Sequence, residues 1–124
     1  MVEQARQTAA PPTGSFAADL ESFLAATFAT AGRAAPLLRG AMAEAQRDPQ
    51  AAAGMRQFTA ARREELRRLL AAGQSSGDLP LSQDLDLLVD QVYGLLWYRI
   101  MVGHAPLTAD VAAQLAGNLT SPAR

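Results

Sequence analysis

Apolar positions recur every three to four residues along most of the chain, which is the spacing of helices that bury one side. Phe16, Leu20, Phe23, Leu24, Thr27 and Ala31 form the first series, with Ser15 ahead of it as an N-cap and Gly32 closing it. A shorter helix is predicted over 36–46, opened by Pro36 and carrying Leu37, Leu38, Ala41, Met42 and Ala45 along one side. Asp48-Pro49 starts a third, running to about Gly73, because Asp accepts from free N–H groups and Pro is preset for the first helical position. There Met55, Phe58, Leu66, Leu69 and Leu70 face inward, and Arg56, Arg63, Glu64, Arg67 and Arg68 lie mostly on the wet side. Residues 74–81, rich in Ser and Gly with Pro80, read as a loop. A last helix follows Thr108, its cap, with Val111, Ala112, Leu115, Ala116 and Leu119 on one side.

The segment 82–103 departs from this pattern and organises the rest. Wound as a helix, it places Leu85, Leu88, Val89, Val92, Leu95 and Leu96 on one stripe and Leu87, Gly94, Tyr98, Met101 and Val102 on an opposite one. Only a narrow seam with Asp86 and Asp90 is built for water. Two apolar stripes require two partners: the chain's own core and something beyond it, for which a second copy is the expectation. Ser82 is its expected cap, Asp84 and Asp86 suit its N-terminal dipole, and Gly103 ends it. A membrane span is excluded, because Asp84, Asp86, Asp90, Gln91 and Arg99 leave no apolar run of roughly 20 residues. No alternating β-branched run occurs, so the fold class is all-α, a five-helix bundle with short connections over 15–121. Residues 1–14, with the breaker cluster at 10–14, read as a linker or the remnant of a connecting helix.

Composition narrows the function by exclusion. With 124 residues the chain fits one domain, and a net charge of −1 without long basic tracts lacks the footprint of a nucleic-acid binder. There is no cysteine and one histidine, so thiol chemistry and a histidine cluster are ruled out within one chain, and no metal or cofactor site is expected. His104 fits a helix C-terminus, and the aspartates at 84, 86 and 90 fit dipole compensation and solvation, so no catalytic residues are assigned. The start of the chain has charges and no apolar h-region, so a signal peptide is not read there and a cytoplasmic location is the default.

The aromatics leave two readings open, core packing and a cavity between helices. Phe23, Met42, Phe58, Arg62, Tyr93 and Trp97 are the candidates to line such a pocket. Arg62 stands on the inward side of the third helix near Phe58 and Leu66, where a guanidinium needs a partner. Glu44 is the expected partner; snorkelling to solvent, or contact with an acidic or carbonyl-bearing ligand, are the alternatives. Arg99, at the edge of the Leu85/Val92 stripe, is expected in an ion pair or an interface contact.

Several motifs carry a resemblance. They are the Glu-Ala-Gln-Arg-Asp-Pro junction at 44–49, the Arg62-Arg63 pair on the next helix, and Tyr93-Gly94-x-Leu96-x-Tyr98-Arg99 before the Gly103-His104-x-Pro106 turn. From residue 13 to residue 118 the chain resembles the C-terminal domain of TetR/AcrR-type transcriptional regulators. That resemblance implies a domain that binds a small apolar or amphipathic effector and homodimerises through its last two helices, here 83–103 and 108–120. It adds Val111, Leu115 and Leu119 to Leu87, Gly94, Tyr98, Met101 and Val102 as interface candidates. No counterpart of the family's helix-turn-helix domain lies within the 124 residues, so DNA contact is expected only through a domain outside them. The expectation is the effector-binding and dimerisation domain of a repressor, and the alternative is a helical homodimerisation module with no ligand.

Overall fold

The computed structural model describes residues 14–120, so the expected linker or helix remnant at 1–14 lies almost entirely outside the described residues. The described chain is five helices without a strand: α1 (Phe16–Arg33), α2 (Ala35–Ala45), α3 (Pro49–Ser75), α4 (Leu85–Val102) and α5 (Ala109–Thr120). Their starts follow the capping chemistry in the sequence. Ser15 Oγ accepts from the Ala18 N–H at 3.3 Å, Asp48 Oδ1 from the Gln50 N–H at 3.2 Å, and Thr108 Oγ1 from the Val111 N–H at 3.1 Å. For α4 the expected cap is corrected: Asp84, not Ser82, accepts from the N–H groups of Asp86 and Leu87 at 3.0 and 3.3 Å. A carboxylate there adds charge against the helix dipole to the hydrogen bonds that a serine would offer. At the other end Gly103 takes φ 71°, the left-handed turn that a residue without Cβ adopts at no steric cost.

The core is drawn from four helices and one loop. Leu20, Leu24 and Phe28 of α1, Leu66 and Leu70 of α3, and Leu88, Val89, Val92, Leu96 and Ile100 of α4 are buried, as are Ala112 and Ala116 of α5. Each such aliphatic or aromatic side chain contributes about 1.5–3 kcal/mol relative to exposure. Leu79 joins them from within the segment read as a loop, where the N–H groups of Asp78 and Leu79 both donate to Gly73 O at 2.8 and 3.0 Å. Gly73 also lets α1 begin against the end of α3: a Cβ there would stand 2.5 Å from Cε1 of Phe16.

Three expectations change. α2 buries no residue at all, and Leu37 is 70% exposed, because only one side of α2 leans on α3 while its other side borders open space. Leu119 is 4% exposed within the single chain, since α5 packs its Ala112/Ala116/Leu119 side mainly on α1; it therefore belongs to the core and not to a surface between copies. Arg99 makes no ion pair among the described residues; it donates from Nη1 to Pro106 O at 2.8 Å, bracing the turn after α4.

The two stripes of α4 separate as its sequence requires. The first is buried, with Leu95 partly so, while on the second Leu87, Tyr98, Met101 and Val102 are 56, 61, 44 and 58% exposed and Gly94 is open to solvent. The aspartate seam between them does more than meet water. Arg63 pairs with Asp90, and Arg67 Nε donates to Asp86 Oδ1 at 3.0 Å, so the wet sides of α3 and α4 are laced together. Among the described residues no helix is long and apolar enough to cross a membrane.

Candidate ligand cavity

Where α2 stands off the core, a cavity of about 820 Å³ opens between α1, α2, α3 and α4. All six residues expected around a pocket line it: Phe23, Met42, Phe58, Arg62, Tyr93 and Trp97. Ala26, Ala31, Ala34 and Gly94 widen it by leaving short side chains where a leucine would fill the space, and Leu38 and Leu96 complete the apolar wall. Gly94 thus borders the cavity as well as the open face of α4.

The polar part of the wall was only partly legible. Thr30, Arg33 and Glu65 line the cavity with no place in the expected pattern, and Thr27 and Asp90, expected on the inward series of α1 and on the wet seam of α4, line it as well. Two of them carried a signal: Thr30 follows Phe23 and Thr27 at seven- and three-residue spacing on one face of α1, and Glu65 follows Arg62 by three residues on α3. Arg62 pairs with Glu65, Nη2 to Oε1 at 3.0 Å, and not with Glu44, which instead meets Arg47 at 2.8 Å near the exposed end of α2. The Arg62 guanidinium stands 5.8 Å from the centroid of the Phe58 ring. Its side chain is 16% exposed and that of Glu65 24%, so the pair is mostly shielded from solvent.

Behind the wall, Nε of Arg62 and Oγ1 of Thr30 are buried and have no hydrogen-bond partner among the described residues. Beside them Tyr93 donates its hydroxyl to the Arg62 backbone O at 3.3 Å. Burial pushes the Tyr93 phenol up to about 12, against the opposing charge of Arg62, so the ring remains a neutral donor throughout the physiological range. The arrangement suits non-covalent capture: a large apolar volume with a few converging polar groups. Outside it, His104 is exposed with its ring 4.8 Å from that of Tyr98, and no group of three or more acidic, His or Cys residues among the described residues could hold a metal ion.

A family profile described as "Tetracyclin repressor-like, C-terminal domain" matches residues 10–119. The chain belongs to this family. The crystal structure of the TetR family transcription regulator SCO0332 is similar to this TetR-family domain, with a TM-score of 0.85 and 27% sequence identity over 96% of this chain and 68% of that one. No curated protein matches it. The family is one of transcription regulators and not of enzymes, which places the cavity of this TetR-family domain outside catalysis.

Proposed function

We propose that this TetR-family domain senses a small apolar or amphipathic effector in the cavity and homodimerises through the open side of α4 together with α5, in the cytoplasm. The observation that carries the reading is that one helix borders the cavity on one side and leaves an apolar stripe exposed on the other. Tyr93, Gly94, Leu96 and Trp97 of α4 line the cavity, and Leu87, Tyr98, Met101 and Val102 of the same helix stand exposed on its other side. Val111 and Leu115 of α5 are half-buried and pack against the core. A ligand that moves α4 changes how two copies meet, and the coupling between cavity and dimer geometry is the signal passed to a helix-turn-helix domain beyond these residues.

Light scattering at micromolar concentration is expected to give twice the chain mass. A saturating neutral amphiphile is expected to raise the melting temperature, since a ligand at 100 times its Kd adds about 2.7 kcal/mol to stability. A dimer that no amphiphile stabilises would leave the plain homodimerisation module, and a monomer would refute the dimer.

A further inference from the structure

Resting on the reading of the cavity as an effector site, we propose that the effector is an amphipathic anion: its hydrocarbon or aromatic body fills the cavity, and its one acidic head group stays at the mouth, on Arg33. Three arginines and two carboxylates line the cavity, Arg33, Arg62 and Arg63 against Glu65 and Asp90. Its wall is therefore positive by one charge in a chain whose net charge is −1. The pairing leaves that charge in one place. Arg62 Nη2 meets Glu65 Oε1 at 3.0 Å and Arg63 meets Asp90, while Arg33 makes no ion pair among the described residues. Nor does an acidic residue stand in the first turn of α2, which begins just beyond it.

The position of Arg33 suits a head group and not a buried charge. Arg33 closes α1, and Leu37 follows it by four residues at the start of α2. Both line the cavity and both are exposed, Leu37 to 70%, so the cavity opens to solvent at this edge. The shielded part of the wall is apolar, with Phe23, Leu38, Met42, Phe58 and Trp97 each half-buried. An acid group held at the edge keeps part of its hydration while its body leaves water, which avoids the desolvation that opposes a fully buried charge. The planar guanidinium offers two parallel N–H groups to the oxygens of such an acid. A cationic amphiphile would meet only carboxylates that already hold arginines, at Glu65 and at the other exposed edge, Asp90 and Gly94. A neutral one would gain the apolar contacts and nothing from Arg33.

The test uses three probes of similar skeleton, 4-pentylbenzoate, 4-pentylbenzylamine and the neutral ketone hexanophenone, displacing the neutral dye N-phenyl-1-naphthylamine from the chain. The benzoate is expected to bind more tightly than the amine, which is a cation at neutral pH. Arg33→Gln is expected to weaken 4-pentylbenzoate about three- to fivefold, the upper range for an exposed ion pair, because the carbonyl end of α1 offsets part of the charge. It should leave hexanophenone within about twofold. Arg68→Gln removes the same charge from an exposed position on α3 outside the cavity, and should leave all three probes within about twofold. Circular dichroism identifies a variant that fails to fold, and the wild-type comparison of acid with amine stands without either variant. An amine that binds at least as tightly as the benzoate would overturn the assignment while keeping the cavity as an effector site. So would a benzoate that Arg33→Gln leaves unweakened, weakens no more than it weakens hexanophenone, or weakens no more than Arg68→Gln does. Failure of the dye and all three probes to bind would remove the effector reading itself.

Discussion

Replacing Arg62 and Glu65 together should cost the unliganded domain about 1 kcal/mol at most and can stabilise it, although replacing Arg62 alone should weaken it. The pair is short, 3.0 Å, and its side chains are only 16 and 24% exposed, so both charges have lost most of their water. Removing one partner of a buried pair costs about 3–5 kcal/mol, because the other charge is stranded. Here the residual exposure of Glu65 lowers that figure, and Arg62→Met also removes an Nε–H whose unsatisfied burial costs about 1–3 kcal/mol. The net loss expected for Arg62→Met is therefore about 1–2 kcal/mol. In Arg62→Met/Glu65→Met both charges go and apolar side chains occupy their volume, an exchange that is neutral to stabilising by about 1–4 kcal/mol in buried pairs. Loss of the guanidinium over Phe58 subtracts about 0.5–1 kcal/mol. The double variant should then stand between about 1 kcal/mol below and about 3.5 kcal/mol above wild type. Urea unfolding followed by far-ultraviolet circular dichroism, at one fixed protein concentration because a dimer's stability depends on it, measures the difference. A double variant more than about 2 kcal/mol below wild type would refute the reasoning, since the pair would then hold the fold.

Asp84→Ala removes the acceptor for two N–H groups at the start of α4 and should cost about 1 kcal/mol, lowering the melting temperature by roughly 5 °C, whereas Ser82→Ala should leave it unchanged. In Tyr98→Phe, which leaves Tyr93 as the one tyrosine, phenolate absorbance should rise near pH 12; because the folded state raises this group, its contribution to stability is complete below pH 10 and is lost as pH climbs from 10 to 12. A titration midpoint near 10 in the folded protein would contradict the burial argument. Gly94→Arg should halve the mass in light scattering without unfolding the chain, since a Cβ at Gly94 meets no atom within 4 Å; a persistent dimer would move the interface elsewhere.

Spacing and capping made the helices legible because both are local: Ser15, Asp48, Thr108 and Gly103 act within one turn of where they stand. The two stripes of α4 were legible for the same reason, since a helix fixes the direction of each side chain from its position alone. What depends on neighbours was not. Leu79 sits in a segment of loop composition, and only the turn around Gly73 O aims it at the core. The apolar side of α2 looks like any buried stripe, yet nothing covers it fully, and that deficit is the cavity. Arg62 was placed correctly on the inner side of α3, but distance along a helix, not likeness of burial, decided its partner: Glu65 is one turn away. The reversal at Leu119 has a similar origin, because α5 turns that residue toward α1, a choice that its own periodicity does not contain.

The central claim is that the cavity takes up a small apolar molecule, and Trp97 allows it to be measured directly. It is the sole tryptophan in the chain and lines the cavity. Titration with N-phenyl-1-naphthylamine, exciting the tryptophan and reading the dye, should give energy transfer that saturates at one dye per chain and is reversed by hexanophenone. No transfer, or transfer that rises without saturation and resists displacement, would contradict the account.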